Sequence, residues 1–373
     1  MRGDPNKPNR ILVRGVNWLG DAVMTTPALL RLRERFPDAH VALLTPEKLV
    51  DLWRHHPAIN EVLSLEAGAG LFATKRQLRA GNFDLALVLP NSPRSALEGW
   101  LARIPHRVGY ARPWRSWFLT QRVQDRPGAV EMRKKSAAQI NRLIAAKPPA
   151  SSIQHPASSH HLHQYLHLAA ALGANPEPLP PQLFVTPIEL AAVEKKFALD
   201  EASTGGRPLL ALNPGAEYGP AKRWPVERFV AAAREIQQRT NCIWLILGAK
   251  ADAPLAEQIA SALHASRFTF QNLSGQTSLR ELLSVLKLCR ALLTNDTGPM
   301  HVAAALGTPV IVPFGSTSPE LTGPGLPGDP RHHLLKSAAP CSPCFRRECP
   351  IDFRCMNGIS VERVVEAVLT AIR

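Results

Sequence analysis

Two short stretches carry residue types that could do chemistry. Residues 292–316 read LLTNDTGPMHVAAALGTPVIVPFGS: an apolar run, a break at Asn295-Asp296-Thr297-Gly298-Pro299, a small-residue helical pattern through Leu306, a Gly307-Thr308-Pro309 turn and a second apolar run. Strand, loop, helix, turn and strand make one βαβ unit. Pro299 suits a first helical turn, where its missing N–H costs nothing. The N–H groups of that turn and the helix dipole can seat an anion such as a phosphate. His301, early in the helix, can point at the same place. An ordinary capped βα turn has the same spacing. The second stretch is Gly20-Asp21, after an apolar strand pattern at 10–14. Ligands of open α/β sheets sit beyond the carboxyl ends of the strands. A carboxylate there can act as general base toward a sugar hydroxyl, or it can simply cap a helix.

A third loop, NPGAEYGPAKRWP at 213–225, follows another apolar run. Its glycines allow close backbone approach to a ligand. Lys222 and Arg223 are cations within reach of a diphosphate. Asp252 or Lys250 follows the next strand pattern and its Gly248-Ala249 turn, where an acidic side chain could take ribose hydroxyls. Near the C-terminus, Cys341, Cys344, Cys349 and Cys355 form C-x2-C-x4-C-x5-C. Four thiols at that spacing could hold zinc or an iron–sulfur cluster, or could be a reduced cluster that packs a loop.

The elements that must position these residues alternate. In the first half, strand patterns fall at 10–14, 40–45, 61–63 and 85–89, with helices at 22–35 and 161–172. A basic, aromatic segment at 111–123 holds Arg112, Trp114, Arg115, Trp117, Phe118 and Arg122. Cations beside tryptophans suit an anionic or membrane-surface ligand; a solvated basic loop has the same composition. Residues 147–160 read as loop, and the histidines at 160, 161, 163 and 167 as a solvated or packed face. Residues 173–187 hold five prolines in fifteen positions and make the best linker. In the second half strands are expected at 207–212, 242–247, 291–293 and 310–314, and helices at 226–239, 254–264, 278–287 and 361–372. Two doubly wound α/β domains, 1–178 and 179–373, are therefore expected, with ligand loops facing a cleft between them.

The chain has 373 residues, 45% hydrophobic and 20% charged, which suits two soluble globular domains. No apolar run approaches the ~20 residues of a membrane span, and no signal-peptide core opens the chain, so a cytoplasmic location is expected. The formal charge of +14 favours an acidic partner: nucleic acid, a phosphorylated substrate or anionic lipid.

GVNWLGDAVMTTPAL, LPNSPRSAL, IPHRVGY, NPGAEYGPAKRWP and NDTGPMHVAAALGTPVIVPFGSTSPE, in that order, resemble glycosyltransferase family 9, the lipopolysaccharide heptosyltransferases, most of all its heptosyltransferase II branch. The resemblance runs from about residue 10 to the C-terminus. It implies a GT-B fold, with an N-terminal acceptor-binding domain and a C-terminal donor-binding domain that includes the cysteine segment 341–355 and the final helix. It further implies inverting transfer of L-glycero-D-manno-heptose from ADP-heptose to a Kdo-lipid A type acceptor at the cytoplasmic surface of the inner membrane. No cofactor would be required for transfer. Asp21 matches the family's general base and Lys222 the lysine that holds donor phosphate. Asp296, Thr297, Gly298 and His301 match the donor-binding motif. The backbone of Gly215 and Ala216 would face the same diphosphate, with Asp252 as a looser ribose match. Asn91, Arg94 and Arg107 fall on the acceptor side. Competing readings are another family 9 transferase such as heptosyltransferase I, a GT-B sugar-nucleotide epimerase, and a basic, cysteine-cluster nucleic-acid binder. The last does not account for ligand loops in both halves, so no nucleic-acid partner is expected.

Overall fold

Segments apolar at every position, such as 11–13, 41–44 and 291–293, need burial on both faces, which parallel sheets between helices provide. In the computed structural model these residues are buried almost completely. The structure describes residues 7–68, 70–146, 156–266 and 268–373; most of the expected loop at 147–160 lies outside them. The chain forms two compact units, Met1–Ala129 with His161–Phe184, and Val130–His160 with Val185–Arg373. This differs from the expected division at 178/179 in two respects. The changeover falls a few residues later, still inside the proline-rich stretch. And the chain visits the second unit once before settling there.

Unit 1 holds β1 (Arg10–Arg14), β2 (His40–Pro46), β3 (Glu61–Leu65), β4 (Leu85–Val88), β5 (His106–Tyr110) and β6 (Gln121–Val123). They form one parallel sheet in the order β3-β2-β1-β4-β5-β6. Unit 2 holds β7 (Leu209–Asn213), β8 (Ile243–Ile246), β9 (Phe270–Asn272), β10 (Ala291–Thr294), β11 (Val310–Phe314) and β12 (His333–Lys336). Its order, β12-β11-β10-β7-β8-β9, is the same winding, with the first and fourth strands of the unit side by side at the centre. In each sheet the direction of winding reverses between those two strands, so the loops leaving them part and open a crevice. β1 and β4 make that switch point in unit 1, β7 and β10 in unit 2.

The single helix expected at 22–35 is two, Leu19–Met24 and Thr26–Arg35. Pro27 has no N–H for the carbonyl of Val23, and the Thr26 hydroxyl donates to that carbonyl instead at 2.8 Å. Thr25 likewise donates to Ala22 O at 2.6 Å. The helix Leu19–Met24 is thereby aimed independently of the one that follows.

In unit 2, Trp224, Phe229, Trp244, Ile246, Leu293, Val364 and Val368 belong to one buried cluster. The final helix, Val361–Ala371, makes its principal contacts there, against the helix Val226–Thr240 and the central strands. Residues 130–146 enter the same unit through the helix Ala137–Ala145. A Ser136–Gln139 capping box starts it, and Ile140 packs against Cys341 and Cys344.

Candidate functional site

The unit 1 switch point holds a cavity of about 180 Å³. The loop after β1 contributes Asn17 and Trp18, the helix that follows it contributes Asp21, the loop after β4 contributes Asn91, and the helix Leu162–Ala170 with its preceding residue contributes His161, Gln164 and Tyr165. Asp21 sits in the first turn of the helix Leu19–Met24. The Nδ1 atom of His161 lies 3.9 Å from Asp21 Oδ1, beyond hydrogen-bonding distance but well within Coulombic reach. The His161 ring stacks on Tyr165, centroids 5.3 Å apart. Burial, and then the Asp21 charge, hold the Tyr165 phenol far above its usual range, so it stays neutral beside the carboxylate. His161 was expected on a solvated or packed face; it lines the cavity beside the candidate base. Only the fold brings 161 to 21.

The loop after β1 is held from below by a buried ion pair. Arg14 Nε donates to Glu98 Oε2 at 2.8 Å, and both side chains are nearly inaccessible. Arg14 Nη1 also donates to the carbonyl of Gly15. The second acceptor-side candidate, Arg94, pairs with the other oxygen of Glu98 at 3.3 Å. The third, Arg107, is committed to backbone: its guanidinium donates to the carbonyls of Phe118, Ile104 and Pro105. Of the three expected acceptor-side residues, the structure brings Asn91 to the cavity that Asp21 lines, and uses Arg94 and Arg107 to brace the helix Pro93–Leu101 and the turn after β5.

The unit 2 switch point gathers the donor-side candidates. Lys222, at the end of a short turn after β7, places Nζ 2.6 Å from Asp296 Oδ2. Thr317 Oγ1 donates to the same oxygen at 2.5 Å. Lys222 also lies over the Tyr218 ring at 5.0 Å. Asp296 thus faces Lys222 and Thr317 and fixes where the ammonium sits. Asn295 ties the two loops: its Oδ1 accepts from Trp224 N at 2.9 Å, and its Nδ2 donates to Pro214 O at 2.7 Å. Thr297 stands in extended backbone at the N-cap of the helix Gly298–Ala305, with Pro299 in its first turn as expected. His301, one turn in, is buried. Asp252 and Gly215 meet: a Cβ on Gly215 would stand about 2.5 Å from the Asp252 carboxylate. Only glycine allows that approach. Ala216 is buried beside it.

Cys341, Cys344, Cys349 and Cys355 line one small cavity in unit 2, whose wall also includes Ala221 and Ser316, the chain neighbours of Lys222 and Thr317. Burial pushes the Cys355 thiol up to about 12 and raises that of Cys341. Among the described residues no group of three or more Cys, His, Asp or Glu side chains could hold a metal ion. Cys341 and Cys344 pack against Ile140, and Cys355 belongs to the main buried cluster of unit 2.

Two doubly wound Rossmann-like units, each with its candidate residues at its own switch point, are the architecture of the GT-B fold. The sequence profile of Glycosyltransferase family 9 (heptosyltransferase) matches residues 71–148 and 149–353. The chain is 32% identical over 327 residues to lipopolysaccharide heptosyltransferase 2 of Salmonella typhimurium, covering 84% of this chain and 85% of that protein. It is 31% identical to lipooligosaccharide heptosyltransferase 2 of Haemophilus ducreyi, covering 84% and 86%. The solved structure of E. coli ADP-heptose LPS heptosyltransferase II superposes with a TM-score of 0.75 at 26% identity, over 97% of this chain and 98% of that one. The chain belongs to glycosyltransferase family 9, and it is an enzyme of the heptosyltransferase kind.

Proposed function

We propose that the protein transfers L-glycero-D-manno-heptose from ADP-heptose to the heptosyl-Kdo2-lipid A inner core, with inversion at the anomeric carbon. The observation that supports this most is the likeness to two heptosyltransferase 2 proteins over 84% of the chain. Asp21 takes the proton from the acceptor hydroxyl as that oxygen attacks C1 of the donor heptose. The bond from C1 to the diphosphate oxygen breaks in the same step, and ADP leaves. Lys222 and the first turn of the helix Gly298–Ala305 take up the negative charge that develops on the diphosphate. Asp296 holds Lys222 in place, while Thr297, Gly298, His301, Gly215 and Ala216 shape the donor side and Asp252 faces the ribose. Asn91 contributes to the acceptor side.

The direct test is transfer from ADP-heptose to Kdo2-lipid A with and without its first heptose. Turnover of the heptosylated acceptor alone is expected. Turnover of the bare acceptor alone would make the enzyme a heptosyltransferase I.

The acceptor is a lipid, and no helix among the described residues is long and apolar enough to cross a membrane. We therefore place the enzyme peripherally at the cytoplasmic face of the inner membrane, docked through the Trp114–Trp117 turn. No cofactor enters the transfer. The alternative of structural zinc or an iron–sulfur cluster at the four thiols requires that they converge on one centre. Stoichiometric zinc or iron in protein purified reduced and anaerobically would establish it against the packing role given above.

A further inference from the structure

Arg115 lies between β5 and β6, in the same turn as two exposed tryptophans, yet its own side chain is 0% exposed. Its Nη1 donates to Asn91 Oδ1 at 3.1 Å. Nε and Nη2 have no hydrogen-bond partner among the described residues, and no carboxylate among them pairs with the guanidinium. β5 makes room for it. A Cβ on Gly109 would stand 2.8 Å from Nη2 and 3.1 Å from Val88 O. A buried cation this poorly partnered is costly. Burial and the neighbouring charge of Arg112 pull its pKa down to about 10. For stability alone an apolar side chain of similar volume would serve better, and such costs concentrate where function needs them.

The chemistry of the contact says what it does. A guanidinium has donors and no acceptor, so the Asn91 atom that faces it is the carbonyl oxygen. The amide NH2 is then turned away from Arg115. Asn91 itself is exposed and forms part of the cavity wall near Asp21. We infer that Arg115 is a positioning residue for the transfer reaction: it locks the Asn91 carboxamide in the one orientation that offers two N–H donors, not a carbonyl, to an oxygen of the acceptor. An unanchored asparagine could present either end. The partner is an acceptor oxygen with lone pairs to give, of a hydroxyl, carboxylate or phosphate. This rests on the reading of the unit 1 cavity as the acceptor side.

Asn91→Asp tests it, because it changes stability and activity in opposite directions. The new carboxylate gives Arg115 a counter-charge, so Tm should rise by a few degrees. The N–H donors are lost, so the acceptor KM should rise at least tenfold while the ADP-heptose KM stays within twofold. Arg115→Met removes the buried charge and frees the carboxamide. Its acceptor KM should rise, but by less than that of Asn91→Ala because the freed carboxamide can still present its N–H end, and the double variant should be no worse than Asn91→Ala alone. An Asn91→Asp protein that keeps its acceptor KM within twofold, or whose Tm falls, overturns the inference, as do single losses that multiply in the double variant. The Asn91 pair decides the matter even if Arg115→Met fails to fold. Absence of transfer by the unmodified enzyme on either acceptor would instead fault the functional reading, and the Tm of Asn91→Asp would still report on Arg115.

Discussion

Asp21 owes its proposed role to position. It stands in a first helical turn at the switch point, where its alternative use is to support the helix N-terminus. The two uses predict different losses. Asp21→Asn keeps the shape and polarity of the turn and removes the base. A general base contributes ~10²–10⁴-fold, so kcat should fall by that factor while Tm stays within a degree or two. Turnover close to normal in a well-folded Asp21→Asn protein would remove it from the mechanism. The sequence made Asp21 visible because it closes a glycine-containing loop after an apolar strand. It hid His161 and Arg115. His161 reaches Asp21 only through the packing of a helix that follows unit 2's first excursion, and nothing local marks one histidine of a run as different. Arg115 looks like its neighbours, one more cation in a basic, tryptophan-rich turn, and only burial separates it from them.

At the scale of elements, the loop that leads to Asp21 depends on a clamp beneath it. Arg14, the last residue of β1, meets Glu98 of the helix Pro93–Leu101 in a buried pair, and the same guanidinium holds the Gly15 carbonyl. Removing one partner of such a pair leaves an uncompensated buried charge, at about 3–5 kcal/mol. Glu98→Gln should lose that much stability in denaturant unfolding, whereas a loss below about 1 kcal/mol would show the clamp to be relaxed by solvent. A second pair anchors the start of the helix Pro187–Phe197. Glu189 closes a capping box with Thr186 and accepts from Nε and Nη2 of Arg280 at 2.7 Å. The Arg280 hydrogen bonds hold its carboxyl down at about 2. A carboxylate depressed in the folded state stabilises above its unfolded pKa of about 4.5, and that stability drains away as pH falls toward about 2. Glu189→Gln keeps the cap, so its Tm deficit should be largest near pH 7 and shrink between about pH 4.5 and 2. A deficit that does not change with pH would show that the carboxylate's charge contributes nothing and that the loss comes from altered hydrogen-bond geometry to Arg280. The central strands behind these clamps could be read directly, as apolar runs closed by glycine or proline. β5, β6, β9 and β12 could not: HRVGY, QRV, FQN and HLLK mix polar and apolar residues because the strands lie toward the sheet edges, where less burial is required.

At the scale of the whole molecule, the +14 charge acts together with one exposed aromatic turn. Trp114 and Trp117 are 76% and 74% exposed and meet edge to face at 6.3 Å. Trp100, partly exposed on the helix Pro93–Leu101, packs on Phe118 of the same turn. Tryptophans left in water at that level mark an interaction site in a soluble protein, and indole rings favour the headgroup level of a bilayer. Arg122 anchors the turn through Nε to Ser116 O, while Arg112 pairs with Asp125 and so brings less net charge. Each arginine at an anionic surface adds about 1 kcal/mol, which salt would screen. Lipid vesicles rich in anionic headgroups should therefore sediment the protein at low ionic strength, and purely zwitterionic vesicles should not. Trp114→Ala with Trp117→Ala should weaken that binding at least tenfold while leaving turnover of a detergent-dispersed acceptor within twofold, because neither ring lines the cavity of Asp21. Vesicle binding that survives the double substitution would move the docking surface elsewhere on the basic chain. Tight, salt-sensitive binding to random DNA without vesicle binding would instead mean that the charge serves nucleic acid, and that the tryptophans stack on bases.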